Sequence, residues 1–159
     1  MEANYEMRQL ILNNIPQKPP FRFIDEILEL DENHIVGAYR FREDEYFYKG
    51  HFPGNPITPG VLLIETMAQT GVVALGLYLT LLQGGMSEET TKKMITLFTV
   101  AEEVEFDAIV RPGERVIVRG EKVYFRRGNL KTKVKLEKEN GKLVCVGTLA
   151  GAGVILNEA

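Results

Sequence analysis

The chain has 159 residues, of which 45% are hydrophobic, and its formal net charge at pH 7 is −3. This length suits one folded domain, which we expect to extend over residues 1–159. The small negative charge argues against nucleic acid as a partner, because nucleic-acid-binding domains concentrate positive charge. The one cysteine, Cys145, excludes an internal disulfide and any metal site built from several cysteines.

The first third of the chain predicts a helix followed by two strands. Its first residues have neither a basic end nor an apolar stretch, so we expect no signal peptide and a cytoplasmic location. Tyr5 to Asn13 predicts a short amphipathic helix, which the prolines between Pro16 and Pro20 end. Strands are predicted at Ile24 to Leu30 and at Ile35 to Arg42, with a hairpin turn between them.

A long loop and an apolar helix are predicted next. The irregular segment from Glu43 to Pro59 is expected to be functional, since structureless loops of that length are uncommon in compact domains. Val61 to Leu82 is almost entirely apolar and would form a helix of roughly 33 Å, long enough to span a bilayer. Glu65 and Gln69 within it, and flanks without a Lys/Arg cluster, favour a buried core helix over a membrane span.

The rest of the chain predicts a sheet. Four strands are expected, at Ile95 to Phe106, Arg115 to Arg126, Leu130 to Glu137 and Leu143 to Leu156. The third of these strands alternates apolar with charged residues, which indicates a sheet with one solvent-exposed face. Asn140-Gly141 predicts a hairpin with a type I′ turn. Two strands, one apolar helix and four strands together predict an α+β fold in which one antiparallel sheet wraps around the helix.

Glu65 is a candidate general acid. It is the one charged residue between Pro59 and Leu82, and burial raises the pKa of a lone carboxyl toward neutral pH. Gln69 lies one helical turn later on the same face, where its amide can hold the carboxyl in place. The alternative is that Glu65 lies at an interface and pairs with a surface lysine.

His51 is a candidate general base. It lies in a bent segment rich in glycine and proline, and imidazole suits proton abstraction near neutral pH. A lone histidine can instead be a structural hydrogen-bonding group, and His34, in the predicted hairpin turn, is expected to be solvated. Pro59-Gly60 begins the helix, and its first amides are free to donate to a carbonyl oxygen that gains negative charge. These groups fit removal of a proton next to a carbonyl with loss of a hydroxyl from the next carbon, without a metal or an organic cofactor.

The string from His51 to Leu62, HFPGNPITPGVL, and the string from Glu65 to Gln69, ETMAQ, closely resemble the signature of the FabZ-type 3-hydroxyacyl-[acyl-carrier-protein] dehydratases. Weaker similarity extends over most of the chain. The resemblance implies a hot-dog fold, an acyl thioester on acyl carrier protein as substrate, and a homodimer, commonly three dimers in a hexamer. It also implies that each site takes its histidine from one subunit and its glutamate from the other.

The motif match assigns roles to individual residues. It implies His51 as the base at the α carbon, Glu65 as the group that handles the hydroxyl, and the Gly60 amide as the donor to the thioester carbonyl. It also implies supporting roles for Gln69, Pro59, Val61 and Gly54, and a substrate tunnel at Phe52, Ile57 and Leu62.

The chain departs from the family pattern at two places. The family often has His-Arg before its Pro-Phe, where this chain has Gln17-Lys18-Pro19, and a basic residue where this chain has Glu105 beside Glu102 and Glu103. The acidic surface of a carrier protein would be repelled at these glutamates. A patch of basic residues is an alternative docking face: Arg126, Arg127, Lys131, Lys133 and Lys135. The alternative is that this patch is only a solvent-exposed face of a strand. A thioesterase or CoA-specific hydratase of the same fold, or a non-catalytic acyl-thioester-binding protein, remain open alternatives.

Overall fold

The central helix of the fold has three consecutive parts. The computed structural model describes residues 1–84 and 94–155. In it, helix α2 (Gly60–Ala68) continues through a π-helical segment (Gln69–Ala74) into helix α3 (Leu75–Leu82). The segment passes the length and composition test for a membrane span, but 67% of its most apolar window is buried inside the fold. The predicted long apolar helix is therefore confirmed as a core helix.

One antiparallel sheet wraps around this helix. Within the described residues its strands are β1 (Glu26–Leu30), β2 (His34–Arg40), β3 (Met94–Phe106), β4 (Arg115–Arg126), β5 (Asn129–Lys138) and β6 (Leu143–Ile155). Their order across the sheet is β1-β2-β4-β5-β6-β3, so β1 and β3 form the edges. The predicted strands are confirmed with ends shifted by a few residues, and Leu156 lies outside the described residues. The α+β hot-dog architecture is thereby confirmed.

The helix lies close to the sheet where two glycines face each other. A Cβ added to Gly120 of β4 would lie 3.1 Å from the Gly71 Cα, and a Cβ added to Gly71 would lie 2.7 Å from a methyl carbon of Val134. Larger residues would force the helix away from the sheet, because protein cores are close-packed. These glycines fix the depth at which the π-helical segment lies in the curve of the sheet.

The positions of the tight turns differ from the prediction. Arg127 (φ 51°) and Gly128 (φ 76°) form the two-residue loop between β4 and β5, and positive φ at both residues is the type I′ signature. The type I′ prediction for Asn140-Gly141 is wrong, since of these two only Gly141 has positive φ, at 88°. There the Gly141 N–H donates to the Lys138 carbonyl over 2.9 Å, giving a three-residue loop that ends in a glycine bulge.

Helix α1 (Tyr5–Asn13) closes one end of the core, and its predicted bounds are confirmed. Ile11 and Ile15 are fully buried in a cluster with Leu75 and Tyr78 of α3. This packing brings the next residues of the chain to β3, where the Gln17 side-chain amide donates to the Thr96 hydroxyl over 2.9 Å. The N-terminal segment therefore reaches the face of the helix that carries Glu65.

Candidate active site

The loop that carries His51 fixes the ring in one tautomer. The His51 Nδ1 lies 2.8 Å from the carbonyl oxygen of Ile57, and the backbone N–H of Ile57 donates to the His51 carbonyl over 2.9 Å. A carbonyl only accepts hydrogen bonds, so Nδ1 carries a hydrogen, and in the neutral form of the ring Nε2 is the nitrogen with the lone pair. The half-buried ring also stacks on Phe52, with the ring centroids 4.0 Å apart. The loop thus uses Nδ1 as a donor and leaves Nε2 as the nitrogen that can exchange a proton with a substrate.

The turn after His51 depends on a glycine. Phe52 and Asn55 exchange two backbone hydrogen bonds, of 3.1 and 2.9 Å, and Gly54 within that turn has φ of 73°. Side chains rarely adopt that conformation, so glycine suits this turn, and the supporting role of Gly54 stays a prediction. The sequence did not reveal the anchor of the loop, which is a buried bond of 2.7 Å between the Tyr48 and Thr58 hydroxyls. Burial raises the pKa of Tyr48 to about 12, so this anchor stays protonated.

Gly60 is the first residue of α2, immediately after Pro59. Among the described residues, no acceptor is recorded for the Gly60 N–H, as expected for the first turn of a helix. A Cβ at this position would lie 3.1 Å from the ring of Phe106, at the end of β3. The amide of Gly60 and the half-exposed ring of Phe106 therefore lie side by side, a neighbour that sequence reasoning missed.

Glu65 is half-buried on α2, and Gln69 holds it. The Gln69 side-chain nitrogen donates to Glu65 Oε1 over 3.3 Å and to the Phe21 carbonyl over 3.0 Å. Its oxygen accepts from the Phe23 N–H over 2.7 Å, so the fully buried amide is fixed by the backbone. Burial raises the pKa of Glu65, and the bond from Gln69 offsets part of that increase. A carboxyl with a raised pKa can carry a proton closer to neutral pH.

A small cavity lies beside Glu65. Its volume is about 40 Å³, and its lining consists of Gln17, Glu65, Ala68, Val72, Val73, Thr96, Leu97 and Phe98. A second, mostly apolar cavity of about 110 Å³ shares Val72, Val73 and Thr96 with it and continues under the sheet. His51 lines neither cavity. One chain therefore does not bring the predicted acid and base together in these cavities.

The other predicted site residues lie near His51 or at the start of the helix. Phe52 is half-exposed beside the imidazole, and Ile57 holds its Nδ1. Val61 is exposed, and Leu62 packs against the core cluster around Met67. Phe52, Ile57 and Leu62 line neither the cavity beside Glu65 nor the larger one that adjoins it. Their predicted place along a substrate tunnel stays a prediction.

The acidic run on β3 has two environments. Glu102 pairs with Lys131 across the outer face of the sheet, with 2.6 Å between carboxylate oxygen and ammonium nitrogen. Glu105 is exposed and lies opposite Val146 of β6. Glu103 has φ of 54° within an irregular stretch of the strand. Glu105 is therefore on the surface, where it can meet a docking partner.

Comparison with known proteins identifies the chain. The sheet wrapped around a helix is shared with a solved structure titled as the dehydratase heterocomplex ApeI:P of Xenorhabdus doucetiae, at a TM-score of 0.74 and 12% identity over 93% of this chain and 91% of that one. It is shared with a coenzyme A-bound hypothetical thioesterase of Streptococcus pneumoniae at a TM-score of 0.54 and 12% identity, over 84% of this chain and 88% of that one. These likenesses define the class, a hot-dog protein.

The family follows from sequence. A family model described as a FabA-like domain matches residues 15–148. The 3-hydroxyacyl-[acyl-carrier-protein] dehydratase FabZ of Caldicellulosiruptor saccharolyticus is 35% identical over 140 residues, 87% of this chain and 92% of that protein. The FabZ of Acetivibrio thermocellus is 36% identical over 149 residues, 93% of this chain and 94% of that protein. The chain belongs to the FabA-like family and resembles its FabZ dehydratases over most of its length.

Proposed function

We propose that this protein dehydrates a (3R)-3-hydroxyacyl thioester, carried on acyl carrier protein, to the trans-2-enoyl thioester in fatty acid or related acyl-chain biosynthesis. The proposal depends on one observation: the two proton-transfer groups are held for opposite roles, one to accept a proton and one to donate it. Nδ1 of His51 is bonded to the Ile57 carbonyl, which leaves Nε2 as the nitrogen to act as base, and burial raises the pKa of Glu65. Two titratable groups prepared in this way suit one base and one acid in a single reaction.

The proposed chemistry needs only these groups. Nε2 of His51 takes the proton from the α carbon, and the negative charge that develops on the thioester oxygen is stabilised by the Gly60 N–H. The electron pair then forms the double bond as the C–O bond at the β carbon breaks. Glu65 donates its proton to the departing hydroxyl, which leaves as water. Gln69 contributes by keeping the carboxyl in position.

We propose further that the active site is shared between two subunits of a homodimer. Glu65 and its cavity lie beside β3, a 13-residue edge strand, and His51 is not part of that cavity. Leu97, Phe98 and Val100 of β3 are exposed in the single chain, at 49%, 43% and 38%. A long edge strand with exposed apolar side chains needs a cover, because its unpaired backbone and side chains otherwise invite aggregation. A second copy paired along β3 would cover this edge and supply the missing histidine. We propose a cytoplasmic enzyme, in agreement with an apolar helix that is used in the core.

The reaction is tested by following the enoyl chromophore while a 2-enoyl thioester is hydrated, on CoA and on carrier protein in parallel. We expect hydration on both, faster on carrier protein, and no free thiol. His51→Ala and Glu65→Gln should each lower turnover by about 10² to 10⁴. His34→Ala and Glu29→Gln are matched controls on the β1–β2 hairpin and should keep wild-type turnover. Release of thiol instead of hydration would identify a thioesterase, and more than about a tenth of wild-type turnover in either catalytic variant would reject its role.

A further inference from the structure

We propose that the cavity beside Glu65 is the site that receives the eliminated water, and that Gln17 and Thr96 hold this water together with Glu65. This inference rests on the proposed dehydration and adds a product site to it. The three residues come from different elements: Gln17 follows α1, Glu65 lies on α2, and Thr96 lies on β3. The fold therefore assembles three polar side chains around one small space.

The cavity is large enough for a water molecule and, in the single chain, much smaller than a typical metabolite pocket. A cavity holds a water molecule once about 10–15 Å³ is open to the centre of a water-sized sphere. By the same measure this cavity has about 40 Å³. Pockets for ligands of metabolite size are typically about 300–1,000 Å³. The space is thus suited to the released water and its immediate neighbours.

The polar groups provide the two to four partners that a buried water needs. Gln69 donates a hydrogen bond to Oε1 of Glu65, and the hydroxyl of Thr96 accepts one from the Gln17 amide. The Oε1 of Gln17 is buried and has no hydrogen-bond partner among the described residues. Exchanging the two ends of the amide leaves its nitrogen free instead, so in either assignment one polar atom of Gln17 is unpaired. The last side-chain torsion of glutamine is broad, so rotation about it would let that atom bond a water in the cavity.

The other walls confine the water to this end. Ala68, Val72, Val73, Leu97 and Phe98 are apolar, and the larger cavity beyond them is mostly apolar as well. A water molecule that moved in that direction would lose its hydrogen bonds. The polar end therefore lies next to the acid that protonates the hydroxyl, and the apolar end continues away from it. In the reverse reaction the same water would be the one added to the enoyl thioester.

Gln17→Leu tests the proposal, because leucine keeps most of the volume and removes the hydrogen-bonding atoms. We expect kcat to fall about 5- to 10-fold with KM unchanged, as for an interaction made only with the departing hydroxyl. Gln17→His, which keeps a hydrogen-bonding nitrogen, should retain at least half of the wild-type kcat. Thr96→Val should lower kcat less, and should add little to Gln17→Leu because both act on the same water. Gln83→Leu is the matched control, the same change at an exposed position after α3, and should behave as wild type.

Two readouts separate this role from a structural one. The melting temperature of the Gln17→Leu/Thr96→Val double variant should not fall. The variant loses the hydrogen bond between Gln17 and Thr96, but it also loses the buried, unpaired side-chain oxygen of Gln17, and the two effects oppose each other. A high-resolution crystal structure should show a water within hydrogen-bond distance of Gln17 and Glu65 in the wild type, and none in the double variant. Wild-type kcat in Gln17→Leu, or an equal loss in Gln17→His, would overturn the proposal even if dehydration itself is observed. A wild-type enzyme without dehydratase activity would reject the reaction instead, and a dry cavity in the crystal would reject the water site.

Discussion

Replacing Gly71 by alanine tests how tightly the central helix is held against the sheet. The new methyl carbon would lie 2.7 Å from Cγ2 and 3.3 Å from Cγ1 of Val134, well inside the ordinary contact distance of about 3.5–4.0 Å. Val134 is buried, and a β-branched side chain has little rotamer freedom to move aside. Overpacking of this kind costs about 1–3 kcal/mol, and the short distance favours the upper part of that range.

A gain in helix propensity opposes the clash. Alanine is about 1 kcal/mol more favourable than glycine inside a helix. The difference leaves Gly71→Ala destabilised by about 1–2 kcal/mol, which corresponds to roughly 3–6 °C in melting temperature for a chain of this size. Thermal and urea unfolding at fixed protein concentration measure this change, and the concentration must be equal because a dimer's stability depends on it.

The same helix provides the control. A Cβ at Gly76 would lie 3.7 Å from Leu130, an ordinary contact, so Gly76→Ala should gain stability by up to about 1 kcal/mol. Val134→Ala should relieve the clash, so that the pair Gly71→Ala/Val134→Ala shows a favourable coupling of about 1 kcal/mol or more. If Gly71→Ala proved as stable as Gly76→Ala, or if the pair showed no coupling, the tight helix–sheet contact would be refuted.

The buried acid, the docking face and the thiol allow three shorter tests. Burial raises the pKa of Glu65 in the folded state, so the stability that this group contributes is complete below its unfolded pKa and is lost as pH rises through the folded one. The melting temperature of Glu65→Gln relative to the wild type should therefore increase as pH rises above about 4, and a difference that does not change with pH would contradict this. Glu105→Lys should lower KM for the carrier-bound substrate at low salt and leave a small thioester mimic unaffected; an equal effect on both would reject docking at Glu105. Burial raises the pKa of Cys145 to about 11, so a disulfide reagent should label no thiol in the native protein and one thiol in the unfolded protein. Rapid labelling of the native protein would be inconsistent with a buried thiol.

The periodicity of hydrophobic residues along the sequence was sufficient to predict most of the fold. Alternation along β5 and the unbroken apolar run of the helix depend on local side-chain pattern alone, and both elements formed as predicted. The π-helical segment at Gln69–Ala74 gave no such signal, because an apolar run does not distinguish a π-helical turn from an α-helical one. Asn140-Gly141 carried the stronger turn signature, yet the type I′ turn formed at Arg127-Gly128. Hairpin geometry depends on the register of the paired strands as well as on the residues of the loop.

The sequence motif was enough to propose the residues of the candidate site, but it did not reveal their surroundings. His51, Gly60, Glu65 and Gln69 lie within a short stretch, where residue chemistry and spacing suffice. Partners from distant parts of the chain, such as Phe106 beside Gly60, could not be found from one sequence because tertiary packing brings them there. Gln17 was recognisable only as a departure from the family pattern. Its place beside Glu65 follows from the burial of α1 against α3.

Subunit mixing tests the central claim most directly, namely that His51 of one subunit and Glu65 of its partner form one site. His51→Ala and Glu65→Gln homodimers are each expected to be inactive. In a mixed dimer, one shared site collects both substitutions and the other collects neither. After exchange of equal amounts, half of the dimers are mixed, and each has one intact site of two, so we expect about a quarter of wild-type dehydratase activity to return. No recovery, with subunit exchange verified by mass spectrometry of differently tagged chains, would contradict the shared site.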